Sequence, residues 1–312
     1  MSAVSVVLGV PLYGDGEHLQ EALESLLAQT HPAMALVLCD DGPGEDARRI
    51  IDAVVGDDPS VAYRRNDGRA GLVENWRRTF ELAGELHPGA AYFGWASDHD
   101  ACHPRWLERL VDALERAPAA VVAYGRTYQF DADRHVVREV DRFETAGLTD
   151  PEVRLARTLR GVRAGDMVYG VYRREPLARA GALRRLLLPD RLLLAELSVR
   201  GEFLYVPHAL RYRRITGRAT LARQRASLFG ESTPAYTRLP WWAVHTAAFA
   251  WAITHGETAA KAGMPQRLRL IATHARQNFL FAMHSRIGRV IDWLSLRVRG
   301  GLARAASLLR RG

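Results

Sequence analysis

Two carboxylates flank an imidazole at the end of an apolar run: Tyr92-Phe93-Gly94-Trp95-Ala96-Ser97-Asp98-His99-Asp100. A buried strand that delivers acids to its own C-terminal end can hold a metal ion or a phosphate against a sheet. A solvated acidic turn would read the same way. Other residues could join such a site: Tyr13, the pair Asp40-Asp41, Asn66 with Gly71 and Asn75, and Asp190. Each also has a plain structural reading. Asp40 and Asp41 can cap the helix after them. Tyr13 can be an ordinary loop aromatic, Asn66, Gly71 and Asn75 turn and cap residues, and Asp190 an N-cap.

The surrounding pattern decides whether these positions can meet. Ser5 to Val10 reads as a fully buried strand, and Leu19, Ala22, Leu23, Leu26 and Leu27 fall at helical spacing. A second strand, Ala35 to Cys39, precedes a helix from about Asp46 to Val55. Val61 to Tyr63 is a short third strand. Leu72, Val73, Trp76 and Phe80 mark the next helix, and Ala91 to Ala96 the next strand. Trp106, Leu107, Leu110, Val111 and Leu114 form a helical stripe, and Ala120 to Tyr124 is a strand. This alternation predicts an α/β fold with a mostly parallel, doubly wound sheet, whose ligands bind beyond the C-terminal strand ends. Tyr13, Asp40 and Asp41, Asn66 and Asp98 to Asp100 all fall at those ends. Beyond them, Arg126 to Val140 suggests a hairpin, Met167 to Arg173 a strand, Asp190 to Arg200 a helix, and Phe203 to Val206 a strand that stops before Pro207. The chain from Pro234 onward looks helical.

The 312 residues are 48% hydrophobic and 25% charged, ordinary globular composition. Residues 261–312 hold 11 Lys+Arg against the single acid Asp292, while the remainder is slightly acidic, so the net charge of +8 belongs to the tail. Met283, Ile287, Val290, Ile291, Leu294, Val298, Leu302, Ala305 and Leu309 trace one stripe there, with arginines interspersed. Such a stripe fits an anionic membrane surface, packing on the preceding part of the chain, or a homodimer contact. Its mixed charge does not form a nucleic-acid patch. No run reaches the roughly 18 apolar residues of a membrane span. No signal-peptide pattern precedes the first strand, and Cys39 and Cys102 make neither a zinc pattern nor a disulfide framework. The expected location is therefore cytoplasmic, with peripheral membrane attachment through the tail as the open addition.

In order and spacing, several pieces resemble the family-2 glycosyltransferases of the GT-A fold. They are Ser5 to Tyr13, Glu21 to Thr30, Asp40-Asp41-Gly42, Asn66…Gly71…Asn75, Ser97 to Asp100, and Asp190 with Gly201 to Pro207. The resemblance implies a GT-A catalytic domain over 1–215, with 1–125 the nucleotide-sugar-binding half and 126–215 the acceptor side. A helical region, 216–312, follows. It implies that Pro11 to Tyr13 form the floor for the base, that an aspartate of the Asp40-Asp41 pair bonds the base, and that Asn66, Gly71 and Asn75 lie near the donor. Asp98, His99 and Asp100 would hold Mn²⁺ or Mg²⁺ against the sugar diphosphate, a His–carboxylate mixture suiting Mn²⁺ better. Counting back from Pro104, His99 takes the place that usually contacts the metal, whereas by the simpler register Asp98 and Asp100 are the pair and His99 is the spacer between them. Asp190 would deprotonate the acceptor hydroxyl, although Pro189 replaces the acidic neighbour common in relatives; Asp166 and Glu196 are alternatives. Tyr212-Arg213-Arg214 stands where many relatives carry a histidine, and Arg213 and Arg214 could serve the diphosphate. The implied function is inverting transfer of a sugar from a nucleotide diphosphate-sugar to a hydroxyl of a saccharide, lipid-linked or small-molecule acceptor. The rivals are a non-catalytic GT-A-like protein that binds a membrane or partner, and a sugar-phosphate nucleotidyltransferase. The latter's arginine-containing glycine loop is missing from Pro11 to Gly16.

Overall fold

The structure, a computed structural model, describes residues 4–284 except 15, 132, 134, 141, 163–165, 216–220, 230–232 and 257–261. The expected basic stripe therefore lies almost wholly outside the described residues. The elements are β1 (Val6–Leu12), α1 (Leu19–Leu27), β2 (Met34–Asp40), α2 (Asp46–Val55), β3 (Val61–Arg65), α3 (Leu72–Leu86), β4 (Tyr92–Trp95), β5 (Ala101–Cys102), α4 (Trp106–Arg116), β6 (Ala120–Phe130), β7 (Val136–Glu139), α5 (Pro151–Gly161), β8 (Val171–Arg173), α6 (Arg174–Ala180), α7 (Pro189–Arg200), β9 (Glu202–Arg214), α8 (Leu221–Phe229) and α9 (Trp241–His255). Residues 264–284 are helical as well.

One sheet carries the fold, in the order β3-β2-β1-β4-β8-β6-β9-β5, with β7 paired to β6. β1 to β4 are mutually parallel, as are β6 and β9, and β8 runs antiparallel between β4 and β6. Both faces are covered, as the unbroken apolar strands require. Val6, Leu8 and Val10 pack with Leu23 of α1, Ile51 of α2 and Leu110 of α4. Val7, Val37, Phe93 and Trp95 pack with Val73 and Leu82 of α3 on the other face.

Two expectations change. Asp166–Tyr169 forms a 3₁₀ turn, leaving only Val171–Arg173 as strand. The cause is Asp166, which is drawn to the arginines of β9. β9 also does not stop at Pro207. It runs to Arg214 through a bulge that skips Pro207 to Ala209, where a proline needs no ladder N–H. Gly125 faces that bulge. A Cβ there would lie 1.9 Å from the Ala209 carbonyl oxygen, so only glycine lets β9 cross.

Helix α7 is buried on nearly every side, between the sheet and the C-terminal helices. Its Arg191 is 3% exposed and spends its guanidinium on backbone and one amide. It donates to the Val162 and Leu159 carbonyls at the end of α5, 2.9 and 2.7 Å, and to Asn278 Oδ1 at 2.6 Å. A cation at a helix C-terminus is favourable, and this one ties residues 264–284 into the domain. His245 of α9 is fully buried and donates from Nε2 to the Leu187 carbonyl at 2.5 Å, while Nδ1 has no partner among the described residues. Burial first, and the nearby Arg191 charge, hold its pKa at about 4. The neighbouring His274 is lowered by the same causes and by His245 itself.

An unfolded chain takes up a proton at this histidine near the ordinary value, 6.5, whereas the folded chain resists until about 4. Stability is complete above the unfolded value and falls as pH drops between the two. Urea denaturation should show a loss of roughly 3 kcal/mol over that interval from His245 alone. His245→Gln, which keeps a donor for Leu187 but cannot titrate, should flatten part of the slope.

Candidate active site

The C-terminal strand ends are stitched before any ligand arrives. Asn75, in the first turn of α3, is 2% exposed. Its Nδ2 donates to the Leu12 and Cys39 carbonyls, both at 3.1 Å, and its Oδ1 accepts from Asn66 Nδ2 at 3.0 Å. One side chain thus fixes the ends of β1 and β2 and the loop after β3. Asp41 accepts from the backbone N–H groups of Ala70 and Gly71 at 2.6 and 2.8 Å, and from Asn66 Nδ2 at 3.0 Å. Gly71 has φ +85 and ψ 164, a conformation that only glycine adopts readily. The loop from Asn66 to Gly71 is therefore wrapped around a carboxylate.

Within this frame lies a cleft of about 240 Å³, lined by Pro11, Tyr13, Asp41, Arg69, Gly71, Leu72, Asn75, Trp76, Ala96, Ser97, Asp98, His99, Tyr169 and Ser227. Tyr13 is 54% exposed, and the Arg69 guanidinium lies 5.1 Å from its ring centroid. The Tyr13 N–H approaches Asp98 Oδ2 at 3.4 Å. His99 Nδ1 lies 2.6 Å from Asp98 Oδ1, and the His99 N–H donates to Ser97 Oγ at 3.3 Å. Burial works against protonation of His99, but the Asp98 hydrogen bond and the charges of Asp100 and Asp98 outweigh it and hold its pKa above the ordinary value.

Asp100 faces away from the cleft and is buried. Its Oδ2 accepts from Arg211 at 2.6 Å and its Oδ1 from the Arg214 N–H at 2.9 Å. Arg211 also reaches Asp166 Oδ1 at 3.3 Å, and Arg213 reaches both Asp166 oxygens at 3.1 Å. Arg214 pairs with Glu21 at 2.7 Å and donates to the His99 carbonyl at 3.4 Å. The Arg211 guanidinium sits 4.2 Å from the Tyr169 ring centroid and so sets one wall of the cleft.

Of the residues singled out by sequence, Pro11, Tyr13, Asp41, Gly71, Asn75, Asp98 and His99 line this cleft. Asp40 does not: it is 1% exposed and accepts from the Gly42 N–H and the Tyr63 hydroxyl, both at 2.8 Å. Asn66, Asp100, Arg213 and Arg214 stand behind the lining. Asp190 lies in the first turn of α7, after a left-handed Leu188 and Pro189. Its carboxyl is pushed up by burial, against the pull of the Arg191 and Asp190 backbone N–H groups and the Arg191 charge. Arg69, Trp76, Tyr169 and Ser227 also line the cleft and carry no chemical signal in the sequence, since one arginine stands out little in an arginine-rich chain.

Asp98 and His99 can each present a donor atom to a cation in the cleft. A histidine ligand usually gives its other nitrogen to a carboxylate, and the His99–Asp98 contact has that form. Asp100 could join only by leaving Arg211. Among the described residues, the trio whose ligand atoms converge is instead Asp131, Asp133 and His135, at the exposed β6–β7 turn. There Asp131 accepts the Asp133 and His135 N–H groups, which explains its position without an ion.

The family model for glycosyl transferase family 2 matches residues 7–179. Over 122 residues the chain is 34% identical to a glucosyl-dolichyl phosphate glucuronosyltransferase of Haloferax volcanii, covering 39% of this chain and 37% of that protein. Over 129 residues it is 28% identical to glycosyltransferase GlyG of Streptococcus pneumoniae, covering 41% and 40%. The matches thus span less than half the length of these relatives. Among solved structures, residues 1–349 of S. aureus TarS in complex with UDP-GlcNAc superpose with a TM-score of 0.62 at 12% identity, covering 89% of this chain and 73% of that one. That likeness is one of fold, the GT-A type.

Arg211 generates a direct test. Removing one partner of a buried ion pair leaves uncompensated charge, so Arg211→Met should cost about 3–5 kcal/mol in urea denaturation. Adding Asp100→Asn and Asp166→Asn should return part of that loss.

Proposed function

Because the chain belongs to glycosyl transferase family 2, we propose that it moves a sugar from a nucleotide diphosphate-sugar to an acceptor hydroxyl with inversion. The observation that carries this reading is the cleft itself. Tyr13, Asp41 and the pair Asp98-His99 come from three separate strand ends and line one surface. The base stacks on Pro11 and Tyr13, with Arg69 at the rim, and Asp41 with the Asn66–Gly71 loop offers polar contacts to the nucleoside. The diphosphate then lies toward Asp98 and His99. Mn²⁺ or Mg²⁺ held by Asp98 and His99 would supply neutralisation of the leaving diphosphate's charge.

Asp190 takes the proton of the acceptor hydroxyl. The acceptor oxygen bonds to the anomeric carbon as the bond to the diphosphate oxygen breaks, and the nucleoside diphosphate leaves with that electron pair. The upward shift of the Asp190 carboxyl makes it a stronger proton acceptor than an ordinary carboxylate. Asp166 is a poorer choice, since Arg211 and Arg213 occupy its oxygens, and Glu196 is paired with Arg184.

The TarS complex holds UDP-GlcNAc, so UDP-sugars are the first donors to test. The dolichyl phosphate in the name of the archaeal relative makes a lipid-linked acceptor the first class on the other side. Helix 264–284 supports a membrane-facing acceptor. Met264, Leu268, Phe279, Leu280 and Met283 are exposed on it, and the basic stripe of the tail continues from there. No helix among the described residues is long and apolar enough to cross a membrane. Anionic liposomes should float the full chain but not a chain shortened at residue 285, and equal flotation of both would remove the tail as a membrane contact.

Turnover with a panel of UDP-, GDP- and dTDP-sugars and Mn²⁺ is the central measurement, and a panel with no binding and no hydrolysis sinks the reading. Asp190→Asn should lower kcat by about 10²–10⁴ with donor KM little changed, the usual range for a lost general base. Tyr13→Ala should weaken donor binding by roughly tenfold through lost stacking, read by calorimetry.

A further inference from the structure

The backbone that delivers Asp190 is held against its own preferences. Leu188 has φ 55 and ψ 52, the left-handed region that a γ-branched residue rarely enters. The residue before a proline is biased instead toward extended backbone, and Pro189 follows directly. Such a conformation persists only where its surroundings fix it.

Those surroundings come from the C-terminal region. Gln224 of α8 accepts the Leu188 N–H on Oε1 at 2.9 Å. His245 of α9 donates to the Leu187 carbonyl at 2.5 Å, and the Tyr236 hydroxyl donates to the Arg185 carbonyl at 2.5 Å. Arg185 in turn donates from Nε to the Leu228 carbonyl of α8 at 3.1 Å. Three side chains thus grip the backbone of residues 185–188 immediately before Asp190. The same α8 presents Ser227 to the donor cleft and packs Leu228 and Phe229 into the core.

We infer that Gln224 is a positioning residue for Asp190. By holding the Leu188 N–H it keeps the left-handed turn that aims the first turn of α7, and its helix touches the donor cleft and the acceptor-side carboxylate's support at once. This rests on the glycosyl-transfer reading with Asp190 as base. Gln224 need touch neither substrate. Its loss should leave donor binding intact and lower the rate of the chemical step.

The experiment follows UDP release from UDP-GlcNAc, or from whichever sugar nucleotide the panel selects, alongside the backbone carbon chemical shifts of Leu188. Gln224→Ala should lower kcat about tenfold, the scale of a small misplacement of a reacting group, with donor KM unchanged. The Leu188 shifts should leave the left-handed range. Gln224→Glu keeps an acceptor oxygen and should retain most activity. Leu188→Gly added to Gln224→Ala should restore part of the lost kcat, because glycine enters the left-handed region without the Cβ penalty. An unchanged kcat in Gln224→Ala, or a loss that Leu188→Gly leaves unrepaired, overturns the inference. Wild-type turnover in Asp190→Asn would instead remove the base assignment. Activity lost in that variant but kept in Gln224→Ala removes Gln224 alone.

Discussion

A guanidinium buried between two carboxylates is the constraint on which the cleft depends. Arg211 is 3% exposed, and so dry a charge is tolerable only because Asp100 and Asp166 meet it from two sides. Asp100 belongs to the loop after β4, Asp166 to the turn before β8, and Arg211 to β9. Their pairing joins three segments that the chain separates by tens of residues. It turns Asp100 inward, so its neighbours Asp98 and His99 face the cleft, and it places Tyr169 as a wall. A buried ion pair adds little net stability compared with a well-packed apolar substitute. Its value here is geometric, because the directional bonds from Arg211 and the Arg214 N–H fix which way Asp100 points.

This network also explains what was legible in the sequence and what was not. β1, β2 and β4 were readable because strands buried on both faces are continuous apolar runs. The edge on which the polar residues gather followed from the alternation of strands with helices. Side-chain direction did not. Asp40 and Asp41 are adjacent and chemically identical, yet one braces Gly42 and Tyr63 while the other lines the cleft. Asp98, His99 and Asp100 could not be sorted either, since Asp100's partner is 111 residues away. Arg213 and Arg214, read as diphosphate ligands, pair with Asp166 and Glu21. Such pairings are tertiary facts without a local signature.

Backbone exceptions were hidden for a related reason. Pro207 reads as a strand terminator, but a bulge opposite Gly125 absorbs it. The left-handed Leu188 contradicts both its side chain and the proline after it, so no propensity would place it there. Local rules fail where distant groups override them, and those places gather around sites where geometry matters more than local stability.

The C-terminal helices follow the same logic. By sequence they are an appendage with its own charge and its own stripe. In the fold, Asn278 meets Arg191 of α7, His245 holds Leu187, and Gln224 holds Leu188. Each contact falls within three residues of Asp190. A helix buried on nearly every side, as α7 is, has little freedom to adjust its own start, so its first turn is set by what grips the chain before it. The GT-A sheet fixes the edge of the cleft through Asn75 and Asp41, and the C-terminal region fixes the approach to α7. The edge of the cleft and the start of α7 are thus set by separate parts of the chain, and α8, which carries both Ser227 of the cleft lining and Gln224, is where they meet.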